Sequence, residues 1–150
     1  MQGLYNFIVE PIGERYDNTT KVGDKELILN TDVSDHSHVN RLAKVISVPR
    51  FTNYGIKEGD IVIVHFNVFR RWYDVKGRER NSRSYYEENR YFVNYDQIFL
   101  YKHDEEWICP QGYCFVQPIK DNSKLSVDTE KPLVGIVKHT DGRAELNSLI

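Results

Sequence analysis

Apolar positions in this chain come in short runs separated by polar stretches. Residues 55–66 are the organising case, reading Gly-Ile-Lys-Glu-Gly-Asp-Ile-Val-Ile-Val-His-Phe. Gly55 and Gly59 bracket charged Lys57 and Glu58, which predicts a tight turn because glycine reaches positive φ without steric cost. The β-branched run that follows, Ile61 to Val64, is too short for an independent helix. It predicts a strand buried on both faces, as in a small closed barrel.

Other strands follow from the same pattern. Residues 5–12 predict an opening strand with Phe7 and Val9 on one face, and Pro11 either ends it or marks an edge. Residues 13–24 are polar and predict a long loop, and the polar run resumes at Asn30. Between them stands the apolar triplet Leu27-Ile28-Leu29, which has two readings. It is a short strand or ribbon pinned to the barrel, or a docking segment that orders on a partner. Residues 41–48 alternate well enough for a strand that Pro49 closes. Residues 91–93 and 98–101 predict two more strands, with 94–97 as the turn between them.

Residues 68–90 break the pattern. They carry Arg70, Arg71, Trp72, Tyr73, Arg78, Arg80, Arg83, Tyr85, Tyr86 and Arg90. Periodicity fails between Lys76 and Ser84, which predicts a hairpin tip or excursion. Further on, residues 103–111 form a polar linker anchored by Trp107. The tail holds an internal echo: Tyr113-Cys114-Phe115-Val116-Gln117-Pro118-Ile119 repeats the spacing of residues 5–12 with one residue deleted. Residues 132–138 match 41–47 in strand type and position, but nothing in the tail matches 55–66. The tail therefore reads as the start of a second barrel whose strands pair with the first barrel or with a neighbouring subunit.

Composition supports an all-β chain. Alanine occurs only at Ala43 and Ala144, whereas there are 10 tyrosines and 7 phenylalanines. Alanine favours helices and aromatics favour strands. The formal net charge of −2 gives no global attraction to nucleic acid or anionic membrane. No apolar stretch is long enough to span a bilayer and the N-terminus has no signal-peptide pattern, so a cytoplasmic protein without membrane contact is expected. In that setting Cys109 and Cys114 are expected as reduced thiols.

The order of these features resembles the GroES-like co-chaperonin family over residues 7–101. The features are an opening strand ending in Pro-Ile, a long polar loop carrying Leu27-Ile28-Leu29, and the strand 41–48. The Gly-Ile-Lys-Glu-Gly-Asp-Ile-Val-Ile step and a closing Tyr95-Asp96-Gln97-Ile98-Phe99-Leu100 complete them. The resemblance implies a small β-barrel over residues 1–102, with 13–40 as its long loop and 68–90 as an excursion. Residues 103–150 then form a β-rich extension. It also implies a homo-oligomeric ring that caps a chaperonin through an aliphatic tripeptide, here Leu27, Ile28 and Leu29. Three departures stand out: the connection from Val48 to Gly55 is too short for the family's roof hairpin, the 68–90 excursion is longer, and the tail is extra. They suggest a reused barrel, such as a virus-encoded ring or virion component.

Candidate chemistry is sparse. His36 and His38 with Asp32 and Asp35 have the residue types for a metal, but no further ligand cluster accompanies them, and a solvated loop is the better reading. No nucleophile elbow, phosphate-cradling glycine loop or zinc-protease helix motif is present, so neither catalysis nor a cofactor is expected. Arg70, Arg71, Trp72, Tyr73, Tyr85 and Tyr86 suit a protein interface, where Arg, Trp and Tyr are enriched, ahead of nucleic acid. Three functions follow in order: a co-chaperonin docking through residues 27–29; a structural ring component bound to capsid or portal proteins; and a nucleic-acid-binding barrel.

Overall fold

The structure, a computed structural model, describes residues 1–17, 19–28, 35–121 and 130–150. It is all-β, with no helix of seven residues or more. The strands are β1 (Phe7–Pro11), β2 (Thr19–Val22), β3 (Lys25–Ile28), β4 (Leu42–Ser47), β5 (Ile61–Val64), β6 (Arg71–Tyr73) and β7 (Glu79–Asn81). They continue with β8 (Tyr85–Glu87), β9 (Arg90–Val93), β10 (Ile98–His103), β11 (Glu106–Ile108), β12 (Cys114–Lys120) and β13 (Glu130–Thr140). Two compact units divide the chain, Met1–Phe99 and Leu100–Ile150.

The main sheet is seven-stranded and includes, within the first unit, the run β5-β4-β1-β9-β8. β1 lies inside it, antiparallel to β4 on one side and to β9 on the other. Phe7, Ile8 and Val9 are all buried, so β1 is covered on both faces. β5, expected in that role, alternates instead: Val62 and Val64 are fully buried while Ile61 and Ile63 are half-buried. Pro11 ends β1 and still sits opposite Ala43, so it marks no edge. Among the described residues no sheet closes into a barrel. The chain between β5 and β8 leaves this sheet for a separate two-stranded ribbon, β6–β7.

The turn before β5 is stitched to β4. Gly55 and Gly59 take φ of 82° and 92°, as their placement required. The Asp60 carboxylate accepts from the Lys57 amide at 2.8 Å. The amide of Val45 donates to the Asp60 carbonyl at 2.8 Å, and that of Gly59 to the Val45 carbonyl at 2.8 Å. Ile56, wholly buried, plugs the turn into the core. Beside it Tyr54 stacks on Tyr95 with ring centroids 3.9 Å apart.

In the second unit β12 and β13 pair with each other as a two-stranded sheet, where the echo suggested pairing with the first barrel or with a neighbouring subunit. The chain end completes that pairing. Gly135 and Ile150 exchange two backbone hydrogen bonds of 3.0 Å, and Val137, fully buried, lies between this ribbon and its surroundings. The eleven-residue β13 thus has β12 on one side and the chain end on the other. Both cysteines are free; Cys109 is buried and Cys114 exposed. Burial raises the Cys109 thiol pKa above its ordinary value.

Replacing Ile56 with alanine removes a fully buried side chain from the turn that anchors β4 to β5. Urea unfolding should show a loss of about 2–5 kcal/mol. A change below about 1 kcal/mol contradicts the anchoring role.

Candidate functional site

Two exposed ribbons project from the first unit, and one cluster holds the roots of both. The first ribbon is β2–β3, with Thr19 opposite Ile28 and Val22 opposite Lys25. Gly23 makes its turn at φ 61°. All eight strand residues are exposed. By strand alternation Val22 and Leu27 share one face, while Ile28 lies on the other with Glu26. Leu27 is 49% exposed and Ile28 66% exposed. The triplet is therefore part of a ribbon, but that ribbon buries none of it; Leu29 lies outside the described residues.

The long excursion is closed at its neck. Tyr16 and Val39 form an antiparallel bridge, and both are buried. Asp17 donates its amide to the His38 carbonyl at 2.7 Å, and Asn40 its amide to the Arg15 carbonyl at 2.9 Å. The Asn40 side chain adds donors to the carbonyls of Ile12 and Glu14, at 2.8 and 2.9 Å. His38 Nδ1 contacts the Asp17 carbonyl at 3.2 Å, and His36 packs on the Phe66 ring at 4.8 Å. The two imidazoles are thus used in neck contacts. Among the described residues no His, Cys, Asp and Glu group could hold a metal; Asp32 lies outside them.

The second ribbon is β6–β7, with Arg71 opposite Asn81 and Tyr73 opposite Glu79. Its tip is built on Asp74, whose carboxylate accepts from the amides of Lys76 and Arg78 at 2.9 Å and from Arg80 Nε at 3.0 Å. Those bonds, that from the Arg78 amide foremost, hold the Asp74 carboxyl below the usual range. Arg71 bonds Glu79 at 3.0 Å and lies 4.9 Å over the Tyr16 ring. The Trp72 indole donates to the Asn81 carbonyl at 3.2 Å, leaving its ring half in solvent.

Arg15 ties the two ribbons together. Its Nε and Nη2 donate to the Phe69 carbonyl at 3.1 and 2.8 Å, and its Nη1 to Asn81 Oδ1 at 2.8 Å. Next to it the Tyr16 hydroxyl accepts from the Arg71 amide at 2.8 Å. Burial lowers the Arg15 pKa from its ordinary value. No periodicity in the sequence signals Arg15, because its partners lie 54 and 66 residues away.

The six arginines and aromatics proposed as an interface fall into three places. Arg71, Trp72 and Tyr73 sit on β6, Arg70 just before it, and Tyr85 and Tyr86 on β8. Tyr85 meets Tyr91 edge-on at 5.7 Å and Tyr86 tilts onto Phe92 at 5.0 Å, so both rest on β9 with part of each ring exposed. No helix is long and apolar enough to cross a membrane among the described residues. Comparison of the chain with protein-family models, with curated proteins and with solved structures finds no match.

Two outcomes follow from this geometry. Arg15→Lys keeps the charge but loses the three-donor fork, and should cost about 1–3 kcal/mol in urea unfolding. Hydrogen exchange at Asp17 and Asn40 should quicken with it; unchanged exchange breaks the proposed link. At the ribbon tip, Asp74 has a lowered folded pKa. Its contribution is therefore present above the unfolded carboxylate pKa and lost as pH falls through the folded one. In Trp107→Phe, where Trp72 is the sole tryptophan, its anisotropy should drop over that acid window and lie low at all pH once Asp74→Ala is added; a pH-independent signal with Asp74 intact is the contrary result.

Proposed function

We propose that this chain is a non-catalytic docking protein of the co-chaperonin type, which grips its partner with the β2–β3 ribbon. The observation that carries the reading is an exposed ribbon with Leu27 and Ile28 in solvent, projecting from a neck that is itself firmly closed. Apolar side chains on both faces of a two-stranded ribbon gain most when a groove covers both. A ribbon of this length is marginally stable alone, so ordering on the partner absorbs part of the binding energy and keeps the affinity of each copy modest.

The likeness of residues 7–101 to the GroES-like family supplies the rest of the proposal: a barrel-derived subunit, a ring of copies, and a chaperonin as partner. A ring compensates for weak single contacts through multivalency. The lack of a family match rests the proposal on residue order and ribbon geometry alone.

Serine at positions 27, 28 and 29 tests it. The described members of the triplet are exposed, so the melting temperature should stay within a few degrees of wild type. Co-sedimentation with a chaperonin ring should fall by tenfold or more. Wild-type protein that fails to co-sediment, or a triple variant that binds as well, overturns the reading.

A further inference from the structure

A second site lies at the root of the β6–β7 ribbon. Asn67, Arg70, Trp72, Ser82, Arg83, Ser84 and Gln97 line a cavity of about 540 Å³. That volume falls within the range of small-ligand sites. No carboxylate is among the lining residues. Arg70 and Arg83 are also the arginines of this excursion that the fold leaves uncommitted. Arg71 is bonded to Glu79, Arg78 and Arg80 to Asp74, and Arg90 to Glu10. Arg70 Nε and Arg71 Nε are both buried without a hydrogen-bond partner, and of the two arginines Arg70 is the one that lines the cavity. A buried guanidinium N–H left unmatched is costly unless a ligand takes it up.

The remaining lining groups narrow the ligand class. Gln97 accepts the Asn94 amide through Oε1 at 3.0 Å, so its NH₂ end is the one left to donate. Ser82 is committed to the Val68 carbonyl at 2.6 Å, but the neighbouring Ser84 hydroxyl has no such bond. Two guanidinium groups with amide and hydroxyl donors suit an anion with several oxygens, a phosphate more than a single carboxylate. Trp72, fixed through its indole N–H, adds a flat apolar wall on which an aromatic base can stack. We infer that this cavity binds a nucleotide unit, its phosphate on Arg70 and Arg83 and its base against Trp72.

The site is separate from residues 27–29, so its test is independent of the docking reading. The full-length chain carrying Trp107→Phe, in which Trp72 is the sole tryptophan, is titrated with adenosine monophosphate, inorganic phosphate and a short oligothymidylate. Adenosine monophosphate and the oligonucleotide should quench Trp72 fluorescence, and inorganic phosphate should compete without quenching. Arg83 is exposed, so Arg83→Ala should fold normally and weaken binding at least tenfold. Arg70→Lys keeps a charge at the buried position and should weaken it too, while Arg50→Ala, away from the cavity, should bind as wild type. Tighter binding of the oligonucleotide than of the mononucleotide assigns the ligand to a single strand, and equal binding to a free nucleotide; each supports the site. Absence of quenching, equal affinity in Arg83→Ala, or competition by acetate as strong as by phosphate overturns it.

Discussion

The Arg15 guanidinium is the contact on which both projecting ribbons depend. A planar group with donors in fixed directions can bond one carbonyl twice and still reach a side chain on another strand, which a lysine cannot do. Here it takes the Phe69 carbonyl and Asn81, while Tyr16 beside it takes the Arg71 amide. Phe69 is wholly buried, so its carbonyl has little access to water if Arg15 is lost. The same residues close the neck of the β2–β3 excursion through Val39 and Asn40. One cluster thus sets where the chain leaves the sheet twice, and everything exposed beyond it inherits that placement.

That arrangement also sorts the arginines. Read as sequence, the excursion after β5 is simply basic and aromatic. In the fold most of that charge is answered locally: Asp74 takes Arg78 and Arg80, and Glu79 takes Arg71. Exposed pairs of this kind add little to stability, but they cancel the local field. What remains is Arg70 and Arg83 around one cavity with no carboxylate in its wall. A chain of net charge −2 can therefore carry a small positive site without being a basic protein.

Local signals in the sequence translated well, and long-range ones did not. The turn at Gly55 and Gly59 and the strand at Ile61 were readable because glycine spacing and β-branching act within a few residues. The break in periodicity after Lys76 was likewise readable, and the structure places a ribbon tip there. Which strand is covered on both faces was not readable. Phe7-Ile8-Val9 and the run at Ile61 are equally apolar, yet only β1 is buried at three successive positions, because what covers each face comes from distant parts of the chain. Pairing also shaped the tail: similar strand types suggested the start of a second barrel, and within the chain β13 pairs with β12 and with the chain end. The candidate site followed the same rule. Its exposed side chains were visible as an apolar triplet and an Arg/Tyr stretch, whereas the cavity depends on which arginines lack partners, a property no single stretch of sequence contains.

Under the proposed docking role, the closed neck changes how the β2–β3 ribbon would bind a partner. Holding Tyr16 against Val39 costs about 3 kcal/mol of loop-closure entropy, and folding of the first unit has already met that cost. A partner has only to order the ribbon beyond the neck. Its eight strand residues are all exposed, so few contacts within the unit must be broken to do so. Because Leu27 and Ile28 fall on opposite faces, a flat apolar patch would leave one of them in water. A cleft with two apolar walls, or an edge strand that the ribbon extends while each face is covered, buries both. On the docking proposal, the geometry of the ribbon therefore restricts the shape of a partner before it restricts the partner's identity.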